Sequence, residues 1–234
     1  MTNTGGITVN QFWPVLGFDT ETTGVDPSND RIVTAAVVWR QANGVQHEQT
    51  WLIDPGIDIP PTASAIHGIT TDYARAHGQM PVLALEEIAS VLASTDLPIV
   101  AFNASYDLTI LEAELRRHGL PTLAERLGRP VGPVFDPLVL DRAVDRYRRG
   151  KRTLTDLVAH YQIPTGGRLH NAAEDVRCTI AVLDALIAAN PDIASQTPNE
   201  LHEWQVMGHR EWATNFNQWL VSRGKPGDVN LVWP

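Results

Sequence analysis

The chain has 234 residues, 43% hydrophobic and 19% charged, which suits one sizeable domain, or one domain with an appendage. No apolar run approaches the roughly 20 residues of a membrane span, residues 1–10 lack a basic-then-apolar signal pattern, and the one cysteine, Cys178, excludes an intrachain disulfide or a cysteine-rich zinc site and suggests a reducing, cytoplasmic setting without membrane partners. The net charge of −9 speaks against broad electrostatic coating of nucleic acid, but it leaves room for a local basic groove or for acidic residues offset by metal ions.

After a loose start over residues 1–12, Val15-Leu-Gly-Phe18 reads as a buried strand. It ends in Asp19-Thr-Glu-Thr-Thr-Gly24, whose last residues read as a turn. Residues two apart on a strand share a face, so Asp19 and Glu21 aim two carboxylates at one point. Like charges that close need a cation between them or a proton on one, and oxygen-only ligands suit magnesium or manganese. A polar strand end with solvated carboxylates accounts for the same pattern. Residues 31–40 are rich in β-branched side chains and 46–53 follow an Asn43-Gly44 turn, which predicts an antiparallel meander.

Thr62 is placed to cap a short helix that stops at Gly68, and Thr71-Asp72 opens another turn. Residues 80–94 carry apolar side chains at a helical period, 98–102 read as a strand, and 105–118 read as a helix closed by Gly119. In that helix Asp107 lies three and four residues from Ile110 and Leu111, so it shares their inward face. An inward carboxylate needs hydrogen bonds or a metal; a capping carboxylate in the first turn is the other reading.

Residues 134–135 predict a short strand, 137–147 and 153–161 helices, 166–169 a loop, and 171–189 a long helix with a core stripe of Ala172, Val176, Ile180, Leu183 and Ile187. Asp175 flanks that stripe, and His170 stands just before the helix, where it can take a proton from water or simply be a surface histidine. Cys178 reads as a small core residue. Strands first, then strand and helix alternating, is an α/β order with a mixed β-sheet. Six cations (Arg142, Arg146, Arg148, Arg149, Lys151, Arg152) fall between 142 and 152 with Asp145 the only acid among them; a solvated face or a phosphate-contacting rim fits. Residues 196–234 predict a Trp-rich C-terminal helical extension beyond a main domain at 13–190. Four of the seven Trp lie past residue 200, so this helix needs the main domain, a polymerase-like partner or a second copy as cover.

Asp-x-Glu after the first strand, Asn103-Ala104-x-x-Asp107 at a strand-to-helix junction, and His170-x-x-x-x-Asp175 opening a late helix stand in one order. On these motifs the chain, over about residues 13–190, resembles the DEDDh family of 3′–5′ exonucleases. The resemblance implies a ribonuclease H-like fold with helices flanking a mixed sheet, and two Mg²⁺ or Mn²⁺ ions held by Asp19, Glu21, Asp107 and Asp175. His170 would be the general base. It also implies contacts from Thr20 and Thr22 to the terminal nucleotide, and packing of the stretch holding His67 and Ile69 against its base. His67, Ile69 and Phe18 are candidates for a wedge that unstacks it, and Asn103 joins the substrate-binding set. Phe102 stands where many members carry histidine, which touches fine geometry rather than the ligands.

Phosphodiester hydrolysis needs an activated water and a neutralised leaving oxygen, which two cations about 3.5–4 Å apart supply. The expected activity is release of nucleoside monophosphates from single-stranded or frayed DNA 3′ ends, free-standing or in proofreading. The competing readings are trimming of RNA or oligoribonucleotides and a catalytically inactive nucleic-acid-binding module.

Overall fold

Strand β1 (Val15–Thr22) is the middle of a five-stranded sheet in the order β3-β2-β1-β4-β5. In this computed structural model, which describes residues 12–165 and 171–234, β2 (Ile32–Arg40) runs antiparallel to β1 and β3 (Gln46–Leu52) antiparallel to β2. The short strands β4 (Ile99–Val100) and β5 (Val134–Phe135) are parallel to β1. The expected meander and mixed sheet are therefore present.

The period of two along β1 assigns its side chains to two cores. Leu16 and Phe18 join the core with helices α3 (Pro81–Ala93) and α4 (Ala104–Arg117). Val15 joins the core on the other face with α8 (Ala172–Ala189). Gly17 shares the α8 face, and a Cβ there would stand 2.3 Å from Val176 Cγ1 and 2.9 Å from Ile180 Cδ1. Only a glycine lets α8 lie this close to the central strand. Gly17→Ala is therefore expected to cost about 1–3 kcal/mol by overpacking, read as a lower urea midpoint at unchanged slope. An unchanged midpoint would mean that α8 retreats freely.

Local capping explains most helix ends. Helix α1 (Pro61–His67) starts from Pro60 without a side-chain cap and closes at Gly68, φ +79°. Thr62 is thus inside the helix rather than its cap, because Pro61 pre-sets the first helical φ. Thr70 caps α2 (Thr71–His77) by accepting from Tyr73 N. Helix α5 (Leu123–Leu127), not expected from the sequence, carries a reciprocal Thr122–Glu125 capping box. Helix α6 (Pro137–Val144) ends three residues earlier than expected. Helices α7 (Leu154–His160) and α9 (Pro191–Ala194) flank α8 in sequence.

The C-terminal helix α10 (Pro198–Ser222) folds back along α6 and β5. It covers the free edge of the sheet, which otherwise exposes a row of unpaired backbone groups. Gln205, fully buried, donates from Nε2 to Val134 O (3.0 Å) and accepts from Asp136 N (2.8 Å). His202 Nδ1 meets Val134 N at 3.2 Å. Among the described residues no helix is long and apolar enough to cross a membrane.

Candidate active site

The two faces of β1 deliver carboxylates to the same end of the sheet. On the α8 face, Asp19 and Glu21 follow Gly17 at the period of two, and the close approach of α8 brings Asp175 from its first turn. Carboxylate oxygens of Asp19, Glu21 and Asp175 lie within 4.8 Å of one another. Asn171 caps α8 by accepting from Glu174 N (3.3 Å), so Asp175 is presented from a fixed helix start.

On the opposite face, Thr20 points at α4. Its backbone N–H and its hydroxyl both donate to Asp107 Oδ1, at 3.0 and 2.7 Å. Asp107 is 3% exposed, inward as the helical spacing predicts, and it stands outside the tight trio. It is still close enough to act on Asp19 through its charge. Burial first, then the charges of Asp107, Asp175 and Glu21, push the Asp19 carboxyl well above its ordinary value. Glu21 is pushed up to about 7 by burial and then by Asp175. Asp107 also rises to about 7; burial outweighs the two hydrogen bonds from Thr20, and Asp136 adds repulsion. Asp19, Glu21 and Asp107, each raised by burial and by neighbouring negative charge, form with Asp175 a site that a divalent cation would relieve. An all-oxygen donor set fits Mg²⁺ or Mn²⁺.

Two cavities meet at Glu21 and His67. One of about 560 Å³ is lined by Thr20, Thr22, Ile66, Asn103 and Tyr106 among others. The second, of about 250 Å³, is lined by Thr34, Ile69, Tyr73 and Ala172. Thr22, His67, Ile69 and Asn103 thus all face space beside the carboxylates. Thr20 lines the same space with its hydroxyl committed to Asp107. The hydroxyls of Thr22 and Tyr106 lie 2.7 Å apart, and both reach the carbonyl of Gly24, at 2.6 and 2.5 Å. His67 Nδ1 accepts from Ile69 N at 3.1 Å, and burial lowers its proton affinity.

Two expectations are corrected here. Phe18 is 1% exposed in the α3–α4 core, so it cannot act as a wedge; its parity along β1 turns it away from the cavities. Arg148 (2.6 Å) and Arg152 both bind the buried carboxylate of Asp141, and Tyr161 donates to it at 3.1 Å. These two arginines are structural and not part of a phosphate rim. Arg142 lies over the Trp212 ring, 3.8 Å from its centroid, and Arg146 pairs with Glu211 at 2.6 Å. Cys178 is 2% exposed and its thiol is pushed up to about 11 by burial, then by Glu174 and Asp175, which fits an inert core residue. His170 and the 166–169 loop lie outside the described residues.

Sequence reasoning missed Asp136. It is 1% exposed and accepts backbone N–H groups of Asn103 (3.1 Å), Ala104 (2.9 Å) and Leu138 (2.9 Å). Asn103 holds a left-handed φ of 61° and gives no side-chain cap to α4, so Asp136, the N-cap of α6 just past β5, supplies the missing acceptor.

Comparison with known proteins sets this geometry in a family. The RNase_T family model, described as an exonuclease, matches residues 16–183, a span that includes all four carboxylates and His170. DNA polymerase III subunit epsilon of Treponema pallidum is 28% identical over 181 residues, 77% of this chain and 79% of that one. PolC-type DNA polymerase III of Streptococcus agalactiae serotype III is 30% identical over 126 residues, 53% of this chain, and the match spans 8% of the polymerase. Among solved structures, E. coli exonuclease I in complex with a dA16 oligonucleotide superposes with a TM-score of 0.67 at 22% identity, over 84% of this chain and 43% of that one. Exonuclease X in complex with 5′ overhanging duplex DNA gives 0.59 at 23%, over 82% of this chain and 99% of that one. The sheet order, the flanking helices and the matched span together show that this ribonuclease H-like chain belongs to the RNase_T family of exonucleases.

Proposed function

We propose that this chain is a metal-dependent 3′–5′ exonuclease that releases nucleoside monophosphates from single-stranded or frayed DNA 3′ ends. The observation that carries this reading is the carboxylate group of Asp19, Glu21 and Asp175, with Asp107 beside it, where burial first and neighbouring negative charge second raise the proton affinity of Asp19, Glu21 and Asp107. These four residues would hold two Mg²⁺ or Mn²⁺ ions. Such ions, when bound, lower the pKa of water and offset charge on the departing 3′ oxygen. His170 takes the proton of the attacking water and passes it to solvent. Thr22, His67, Ile69 and Asn103 grip the terminal nucleotide in the cavities beside the cluster, and Thr20 holds Asp107 in place. DNA is favoured over RNA as substrate because the superposable exonucleases were solved with dA16 and with duplex DNA. The epsilon relative supports a proofreading role beside a polymerase. A single buried cysteine fits action in the cytoplasm.

The test is digestion of matched 5′-labelled single-stranded DNA and RNA with Mg²⁺, Mn²⁺ or EDTA. A ladder shrinking from the 3′ end, lost in EDTA and faster on DNA, is the expected result. A faster RNA ladder would move the substrate class to RNA, and binding without digestion would leave a binding module. His170→Ala is expected to lower kcat about 100-fold or more, within the usual range for a lost general base. Metal affinity should stay near wild type; its loss would make His170 a ligand instead.

A further inference from the structure

Helix α10 runs beside β5 in the same direction, since His202 meets Val134 and Gln205 meets Asp136. Residues 206–222 therefore continue roughly 25 Å past the carboxyl end of β5. Because β5, β4 and β1 are parallel, that is the end of the sheet that carries Asp19, Glu21 and Asp107. Along this projection the aromatic rings form a ladder. Trp212 stacks on Phe216 with centroids 5.3 Å apart and planes 13° apart, and Phe216 stacks on Trp219 at 5.5 Å and 13°. A guanidinium stands at each end: Arg142 is 3.8 Å from the Trp212 centroid and Arg223 is 5.7 Å from that of Trp219. The ladder lines an open groove of about 580 Å³ shared with Arg146 and Tyr147. Trp219 is 48% exposed and Tyr147 86%.

Folding alone does not require this arrangement. Gln205, Leu201 and Ala213 are the buried residues of α10, and they hold the helix to the domain without Trp219 or Tyr147. Solvent-facing indole and phenol rings beside guanidinium groups match the chemistry of a nucleic-acid strand, with bases to stack and phosphates to neutralise. In a chain of net charge −9, Arg142, Arg146 and Arg223 outnumber Glu211, the one acid lining this groove, which pairs with Arg146, so the groove keeps a net positive charge that suits a polyanion. We infer that the α6–α10 groove is a stacking platform for the 5′ continuation of the single strand whose 3′ end lies at the carboxylate cluster. The inference rests on the exonuclease reading for the position of that end.

The experiment measures affinity and hydrolysis of 5′-labelled oligothymidylates of about 3 and about 20 nucleotides, lengths below and above the ~4–16-nucleotide sites of such grooves. Affinity is read by anisotropy in the Asp19→Asn background, so that no digestion occurs, and hydrolysis is read in the otherwise wild-type chain. Trp219→Ala is expected to weaken binding of the long strand roughly 5- to 100-fold, as for loss of one stacked base, and to raise its KM to match. Trp219→Phe should restore most of the affinity, and hydrolysis of the short oligonucleotide should keep its rate. Tyr147→Ala, which removes an exposed ring from the α6 side, repeats the test should Trp219→Ala fail to fold. Unchanged long-strand affinity in both variants would overturn the platform. So would an equal loss on the short oligonucleotide, or dissociation of a dimer in sedimentation with oligonucleotide affinity unchanged, which would make this face an interface between copies. If the wild-type chain hydrolyses neither length but the long strand still loses affinity in Trp219→Ala, the platform stands and the exonuclease reading falls.

Discussion

Asp19→Asn is expected to lower turnover on single-stranded DNA by at least about 1000-fold, roughly 4 kcal/mol of barrier, while raising the melting temperature of the metal-free protein. The substitution keeps the side-chain volume and removes one charge from a point where three others press on it. The two effects have opposite sign because the charge that the proposed metal ions would need is the charge that repels its neighbours without them. Asp19, Glu21 and Asp107 all have raised carboxyl pKa values in the folded chain, Glu21 and Asp107 to about 7. Between the ordinary carboxylate range and about 7, the folded state keeps protons that the unfolded state has released. Stability of the metal-free chain therefore falls as pH rises through that window and is lowest above it. Added Mg²⁺ should raise the melting temperature strongly near pH 8 and little near pH 5, where protons already neutralise the cluster. In Asp19→Asn both the pH slope and the Mg²⁺ response should shrink. Near-normal turnover in this variant would remove Asp19 from the reaction; a flat melting temperature between those pH values would show that other groups already neutralise the cluster.

The parts of this site that follow a local period were legible in the sequence. Asp19 and Glu21 share a face because strands alternate, and Asp107 points inward with Ile110 and Leu111, both fully buried, because helices repeat at three and four. The stripe of α8 follows the same rule. Other features escaped, each for its own reason. Phe18 sits beside the site in sequence, yet strand parity sends it to the far core. Arg148 and Arg152 read as part of a solvated face or a phosphate rim because Asp141 stands seven and eleven residues away, beyond the spacing of three or four at which helical side chains meet. Gly17 carries no side-chain signal at all; its necessity appears only when Val176 lies 2.3 Å from the Cβ it lacks. The capping box of α5 was visible as Thr122-x-x-Glu125, but a five-residue helix is too short for periodicity to support. The C-terminal aromatics called for cover, and only the structure separates the part of α10 that closes the sheet edge from the part that projects beyond it.

Asp136→Ala is expected to be the most destabilising single change near the site that removes no residue of the carboxylate cluster, at about 3–5 kcal/mol. Two buried backbone N–H groups, those of Ala104 and Leu138, and the partly buried one of Asn103 would lose their acceptor together, and each unsatisfied buried donor costs about 1–3 kcal/mol before relaxation. Water cannot simply replace the carboxylate, since Asp136 is 1% exposed between the starts of α4 and α6. The damage should also reach the chemistry. Ala104 opens α4, and Asp107 lies one turn further on, so a loosened helix start lets Asp107 drift from Thr20 and from Asp19. Urea unfolding should show a lower midpoint, and turnover at saturating Mg²⁺ should fall even at temperatures where the variant is fully folded. Asp136→Asn gives the sharper test. It keeps one oxygen for Asn103 and Leu138 but turns an amide donor toward the N–H of Ala104. It should lose less stability than the alanine variant while still losing turnover, because the contact it breaks is the one that starts α4. Full turnover in Asp136→Asn would mean that Thr20 alone positions Asp107 and that the α4–α6 cross-link serves only the fold.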